Sequence, residues 1–541
     1  MVALVTVLAA CGGTGANDAL SSNSALIIQQ GPNGDFTQAF SPYSPSPDPG
    51  VQGMVYQTLL YFNQLNGNIT PLLASSYQVS TDAKSFTFAI RQGVKWSDGQ
   101  PFTANDVVFS LEMVKQYPAA DQSSLWDVIQ SVSAPDAHTV VVTLKKPDTP
   151  LLWYLAGQTW IVPQHIWAHA GDPTKFVNSN PIGTGPFKLK TFTPQLIIYS
   201  KNTNYWEPGK PQVSELRYPS YNSNTSLELD LDRGNLSWVG MFTSNINQTY
   251  VSRDPQHNRY WFSPGSIVAF YMNLTRAPFN NVNVRKAISL ALDREQMSRV
   301  AEDGYEPVAN PTGLILPNQQ SYLSPAYQSV GYRQNVAQAQ QLLQRAGYKK
   351  DARGIYADAS GKELSFSLNV ISGWSDWVTI CQIAANNLAT IGIKANVNAI
   401  AQNSFTTNLQ TGNYDVSIYS VSGGPTPYYS YENMLDSKRA APIGQTALTN
   451  FERWSDPGTD MLLRQYESTT DQNMQKQAIY GLQKVMVDQA PLVPLVYGVN
   501  WYEYNTKNFT GWPDQNNQYA VPSPWSGPDN GLIAASLKPV R

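Results

Sequence analysis

Four histidines are spread over 541 residues, and of these only His165 and His169 stand close together. Four apart, they would share one face of a helix and offer two ligands to a metal. A zinc site needs three or four protein ligands. No Asp, Glu or Cys at a fitting spacing completes the set, so no metal is expected. Gly183-Thr184-Gly185 suggests a phosphate loop. A phosphate cradle, however, has a helix N-terminus directly behind its glycines, and here Pro186 leads into Phe187-Lys188-Leu189-Lys190, which alternates as a strand does. No Gly-x-Ser-x-Gly elbow presents a serine nucleophile. A carboxylate pair for glycoside hydrolysis stays open, because 39 Asp and Glu supply many pairs. Cys381 sits where 377, 380, 381, 384 and 388 are apolar at helical spacing, so it reads as a small core residue. No catalytic residue and no cofactor are expected.

Binding chemistry is better supplied. The chain carries 14 Trp, 30 Tyr and 18 Phe although only 14% of it is charged, more rings than an interior alone requires. Ser372-Gly373-Trp374-Ser375-Asp376-Trp377 lies between a predicted strand at 364–370 and the helix that carries Cys381. Such strand-to-helix junctions open onto the ligand crevice of α/β folds, which makes Trp374 a candidate contact and leaves Trp377 to the core. A second predicted strand, 414–420, runs into Ser422-Gly423-Gly424 and then Tyr428-Tyr429. The tail adds Asn500-Trp501-Tyr502, Gly511-Trp512 followed by Asp514-Gln515-Asn516-Asn517, and Pro524-Trp525. Indole faces suit the C–H faces of sugar rings, and the amides suit their hydroxyls. Trp96, Trp206 and Trp238 are assigned to the scaffold. Ser422, Gly423, Gly424, Tyr428, Tyr429, Trp501 and Trp512 join Trp374 as ligand-contact candidates.

The elements that must position these residues are mixed. Residues 85–91 and 139–144 alternate as strands, and 283–292 and 336–346 are periodic as helices, the second ended by Gly347. The length exceeds one hydrophobic core, so two or more domains are expected. A net charge of −3 gives no electrostatic case for nucleic acid. At the start, Met1 to Ala10 is uncharged but too short to span a bilayer. Leu8-Ala9-Ala10-Cys11 resembles a lipobox, with Cys11 as the lipid anchor, although the basic n-region of a signal peptide is missing before it. The small, polar stretch to residue 24 then reads as a tether.

Lys95-Trp96-Ser97-Asp98-Gly99-Gln100-Pro101-Phe102-Thr103-Ala104-Asn105-Asp106 resembles the signature of the family 5 (cluster C) solute-binding proteins of ABC importers. Phe40-Ser41-Pro42-Tyr43, Gly183-Thr184-Gly185-Pro186, Asn204-Tyr205-Trp206, Val284-Arg285-Lys286-Ala287 and Ala490-Pro491-Leu492-Val493-Pro494 match further landmarks in order. The resemblance implies an α/β, two-lobed periplasmic-binding-protein fold of type II with an extra subdomain in lobe one. The expected boundaries are 1–24 for signal peptide and tether, and 25–268 for lobe one, with the subdomain at about 52–180. Lobe two takes 269–494, and 495–541 returns to lobe one. Crossovers would fall at 267–271 and 491–495. Phe40 and Tyr43, in the loop after the first strand, become ligand-contact candidates by the same resemblance.

Peptide binders of this family commonly hold the ligand ammonium with an acidic residue after a lobe-two strand. Here residues 421–431 contain no carboxylate before Glu432, which argues against a free-amine peptide, since an unpaired buried ammonium is costly. The tail resembles the members associated with β-linked oligosaccharides such as cellobiose. The expectation is a monomeric, lipid-anchored, extracytoplasmic binding protein rather than an enzyme. It would carry an oligosaccharide, or alternatively an oligopeptide, to the transmembrane subunits of an ABC permease. A secreted hydrolase is the rival from another class.

Overall fold

The computed structural model describes residues 25–540 apart from Pro32, Asn33, Gln122 and Ser223. The expected leader, with Cys11, and the tether lie outside the described residues.

Strand Ala25–Gln29 is buried at every position and pairs in parallel with Glu215–Pro219 on one side and Trp238–Val239 on the other. Its unbroken apolar run is what a strand covered on both faces requires, and it lies inside a seven-stranded sheet. A five-stranded sheet forms the opposite half. In it, Ser365–Ile371 runs parallel to both Lys394–Ile400 and Val416–Ser422. Helix Ser375–Ile391 makes the crossover that the first parallel pair needs. That helix ends at Gly392, whose φ of 90° is the left-handed stop a glycine adopts most easily. Cys381 is fully buried within it.

A four-stranded antiparallel sheet extends the first half. The predicted strands are found at Ser85–Ile90 and Thr139–Leu144, which pair with each other and turn Phe86, Phe88, Val140 and Val142 into one core. Helix Ala104–Gln116 covers them, and at its start the Thr103 backbone N–H donates to Asp106 Oδ2 at 2.9 Å. The predicted helices are found at Val282–Ala291 and Val336–Arg345.

The glycine pair is structural. Gly185 donates its backbone N–H to the Val55 carbonyl at 2.9 Å, and a Cβ on either glycine would strike the backbone of residues 54–55. Strand Phe187–Thr193 follows at once. His165 and His169 do not share a helix, because Gln164–Trp167 ends between them, and His165 Nε2 lies 2.8 Å from Asp98 Oδ2.

Two strands link the halves. The chain leaves the seven-stranded sheet after Asn258–Tyr260 and enters the five-stranded one as Ser263–Met272. It returns from Val493–Asn500 to Glu503–Asn505. The linking strands are antiparallel partners, with Ile267 opposite Tyr497 and Val268 opposite Val496. The change of sheet falls at residues 261–262 and 501–502, at one end of each linking strand, and the expected crossovers at 267–271 and 491–495 lie on or beside those strands. The apolar run at 267–271 is buried because its strand lies between two partners.

Candidate functional site

A cavity of about 600 Å³ opens between the two halves, within the usual range of about 300–1,000 Å³ for small-molecule sites. The five-stranded half contributes Trp374, Asp376 and Ser420. Trp374 caps helix Ser375–Ile391, and Asp376 stands in its first turn, so the strand-to-helix junction opens onto the crevice as its position in the sheet dictates. The seven-stranded half contributes Phe242 and Trp525. Trp525 belongs with that half because its segment is tied down by the Trp238 indole N–H, which donates to the Pro522 carbonyl at 2.9 Å. Between the halves, the linking strands present Gly265, Ser266 and Asn500, and Trp501 stands at the point of return. A smaller cavity of about 80 Å³ shares Gly265, Asn500 and Trp525 and reaches Gly424.

The rings around this space are held by other rings. Trp374 stands edge-on to the buried Trp377 at 4.6 Å, and Trp501 packs at 4.7 Å from Phe262 and 5.4 Å from Phe242. Trp374 and Trp525 remain 36% and 44% exposed, so their faces are available to a ligand at little cost in ordering.

Glu306 and Asp376 put carboxyl groups in the lining, and Glu302 interacts with both from outside it. Glu306 is 3% exposed; its Oε1 accepts from the Val499 backbone N–H at 3.2 Å, and its Oε2 has no partner. Glu302 is fully buried with both oxygens unpartnered. Burial is the main force pushing both acids well above the usual carboxylate range, and Asp376 adds repulsion to each. Asp376 is itself shifted up, chiefly by burial. No lysine or arginine lines the cavity among the described residues. Aromatic walls, unpaired acceptors and amides can stack on a ligand and accept its hydrogen bonds.

Of the candidates read from the sequence, Trp374 and Trp501 come together on the main cavity and Gly424 lines the smaller one. Ser422 pairs with Ser266 along the sheet, and Gly423 lies beside Ile315. The remaining candidates are placed elsewhere. Phe40 is fully buried against Phe192, at 5.6 Å. Tyr43 donates to the Trp160 carbonyl at 2.5 Å and borders a separate cavity of about 230 Å³. Trp512 is a core residue, packed at 5.9 Å from Trp238. Tyr428 stacks on Tyr466 at 4.8 Å, and Tyr429 donates to the Pro150 carbonyl at 2.9 Å. Both tyrosines are buried where helix Pro427–Leu435 meets the four-stranded subdomain. The Tyr428 and Tyr429 hydroxyls are already used by Glu467 and the Pro150 carbonyl. Glu306, Phe242 and Trp525 were not among the candidates. The acid-rich Glu302-Asp303-Gly304-Tyr305-Glu306 was the signal available for the first.

The family model described as bacterial extracellular solute-binding proteins, family 5 Middle, matches residues 68–442. A probable D,D-dipeptide-binding periplasmic protein of Escherichia coli is 26% identical over 435 residues, covering 78% of each chain. Di/tripeptide-binding protein 2 of Pseudomonas aeruginosa is 25% identical over 490 residues, covering 85% of this chain and 86% of its own. Among solved structures, a periplasmic oligopeptide-binding protein of an oligopeptide ABC transporter from Thermotoga maritima superposes with a TM-score of 0.89 at 23% identity, covering 96% of this chain and 99% of that one. Its mannohexaose-bound form gives 0.84 with the same coverage. That likeness establishes the two-lobed fold, and the family match over most of the length establishes membership: the chain belongs to the bacterial extracellular solute-binding proteins, family 5.

Proposed function

We propose that this protein is the extracytoplasmic binding component of an ABC importer, holding an oligomeric solute between its two halves and presenting it to the permease. The single observation that carries this reading is the cavity of about 600 Å³ walled by both halves and floored by both linking strands. A ligand there touches Trp374 from one side and Trp525 from the other, so occupancy is coupled to the angle between them, as in hinge closure of binding proteins. The lobes in this reading are 25–262 with 502–540, and 263–501. Cys11 is the lipid anchor that keeps the protein at the membrane, and the protein acts as a monomer. The ligand is returned intact, as expected of a member of a solute-binding family.

An oligosaccharide is the first ligand class. Trp374, Trp501 and Trp525 suit stacked sugar rings, Asn500 and the serines suit hydroxyls, and a structural neighbour holds mannohexaose. An oligopeptide is the second, favoured by the peptide-binding relatives and by Glu306 and Asp376, which supply in the cavity the carboxylates that residues 421–431 lack. Thermal unfolding against cello- and manno-oligosaccharides and against tri- to pentapeptides separates them. A ligand at 100 times its Kd stabilises the native state by about 2.7 kcal/mol. Stabilisation by one class names it, and stabilisation by neither contradicts the reading. Chromatography of the recovered ligand distinguishes a binder from a hydrolase.

A further inference from the structure

Asp148 is a buried acid at the seam where the two halves meet, and the groups that crowd it come from both sides. It follows strand Thr139–Leu144; its Oδ1 accepts the Leu151 backbone N–H at 3.2 Å, and its Oδ2 is 4.0 Å from Lys146 Nζ. Lys146 lies closer to Glu467, at 3.2 Å, on helix Pro457–Glu467 of the other half. The lysine is therefore spent mainly on a carboxylate across the seam. Glu432, on helix Pro427–Leu435, is held by Tyr154 and Arg439, and Tyr428 of the same helix donates to Glu467. A cavity of about 240 Å³ lies among these side chains and is also lined by Asp127, Asp436 and Lys438. Behind Asp148, its backbone N–H donates to the Ala83 carbonyl at 3.3 Å, in a turn where Asp82 and Lys84 flank Ala83. Burial first, then Glu467 and Glu432, push Asp148 from a usual 3.8 up to about 7 against the pull of Lys146.

The division of these groups between the halves gives that crowding a consequence. Asp148 and Lys146 belong to the half that contains the four-stranded subdomain, whereas Glu432 and Glu467 belong to residues 263–501. Parting the halves takes both carboxylates away from Asp148 and returns it to water, where an ordinary carboxyl group is ionised at neutral pH. We propose that Asp148 makes the seam a proton-operated latch, holding a proton while the halves are together and releasing it as they part. This rests on the hinge-closure reading above and adds a control to it. Between the usual 3.8 and about 7 the closed form binds more protons than the open one. Acid therefore favours closure, and that advantage is lost as pH rises through about 7. By the same linkage, a solute that closes the cleft draws a proton onto Asp148. Glu302, Glu306 and Asp376 all belong to residues 263–501, so parting the halves does not separate them from one another.

Small-angle scattering of the ligand-free protein at about pH 5.5 and about pH 8.5 reads the latch without a solute. The wild type should be compact at the lower pH and show a larger radius of gyration at the higher one. D148N, neutral throughout, should stay compact at both. K146E is the control for movement. Lys146 is half-exposed, so the fold is not at stake, and at the higher pH a carboxylate there faces Glu467 and pushes the halves apart. Expansion of K146E without a pH response in the wild type overturns the proton latch and leaves hinge closure standing. Expansion in neither overturns hinge closure, and the latch with it. A pH response that survives in D148N overturns the assignment to Asp148. A second variant keeps that assignment testable if D148N does not fold. E467Q frees Lys146 for Asp148 and should move the onset of expansion to lower pH, and an unmoved onset overturns the assignment.

Discussion

Tyr154 donates its hydroxyl to Glu432 Oε2 at 2.7 Å, joining the half that carries the four-stranded subdomain to the half that carries the five-stranded sheet. Arg439 holds the other Glu432 oxygen at 2.8 Å. Lys146 lies 3.2 Å from Glu467, whose other oxygen accepts from Tyr428 at 3.0 Å. Tyr429 closes the seam by donating to the Pro150 carbonyl. The two halves therefore touch through a polar latch at some remove from the cavity, and the latch favours the arrangement in which the cavity is enclosed.

Tyr154→Phe removes one latch bond and leaves Glu432 paired with Arg439. A hydrogen bond to a charged group contributes about 1.5–3 kcal/mol. The closed arrangement should lose that much against an open one, and ligand Kd should rise by about tenfold. Calorimetry reads the affinity, and small-angle scattering reads an expanded ligand-free molecule. Unchanged affinity and unchanged dimensions would show that the latch does not bias closure.

Stability should fall as pH rises through the neutral range. Glu306 and Glu302 are pushed up by burial to about 8 and about 10 from a usual 4.5. Between the unfolded and folded values the native state binds more protons than the unfolded chain, so stability decreases with pH. Their contribution is complete below about pH 4.5 and is lost as pH rises through 8 and 10. Asp148, raised to about 7 by burial, acts in the same direction. Denaturant unfolding should give a higher midpoint at pH 6 than at pH 9, and Glu302→Gln should flatten the difference. A midpoint that rises with pH would contradict the burial of these acids.

Trp374→Ala and Trp512→Ala should separate binding from stability. Trp374 is partly exposed on the cavity, so its loss should cost about 2 kcal/mol of binding, as truncation of a buried contact ring does, with little change in Tm. Trp512 is packed against Trp238 and Tyr504, so its loss should cost about 3–5 kcal/mol of folding. A ligand defect confined to Trp512→Ala would reverse the assignment.

Cys381 should be inert in the native state. It is fully buried and burial pushes its thiol up, and reactivity follows the exposed thiolate. Native protein should resist an aromatic disulfide reagent that titrates one thiol at residue 381 after unfolding. Fast native modification would mean that helix Ser375–Ile391 opens readily.

Much of the architecture was legible because it rests on local chemistry. The alternation at 85–91, the capping pair Thr103 and Asp106, and the helical spacing around Cys381 each specify an element without reference to the rest of the chain. The junction at Trp374 was legible for the same reason, since a strand-to-helix turn in a parallel sheet faces one way. What could not be read was which rings the tertiary structure would consume. Tyr428 and Tyr429 have the same local setting as a ligand-contact pair, and only the approach of residues 150–154 turns them into a seam. Glu306 was hidden for the converse reason. Its role depends on Val499 and Asp376, which lie far from it in sequence and meet it only through the linking strand and the facing helix.

The most direct test is a calorimetric titration of the wild type and of W374A/W501A with the oligomer that stabilises the wild type. The account predicts one site per chain in the wild type and an affinity lower by about a hundredfold or more in the double variant, with native circular dichroism in both. Equal affinity in a folded double variant would contradict the claim that the solute is held in the cavity between the two halves.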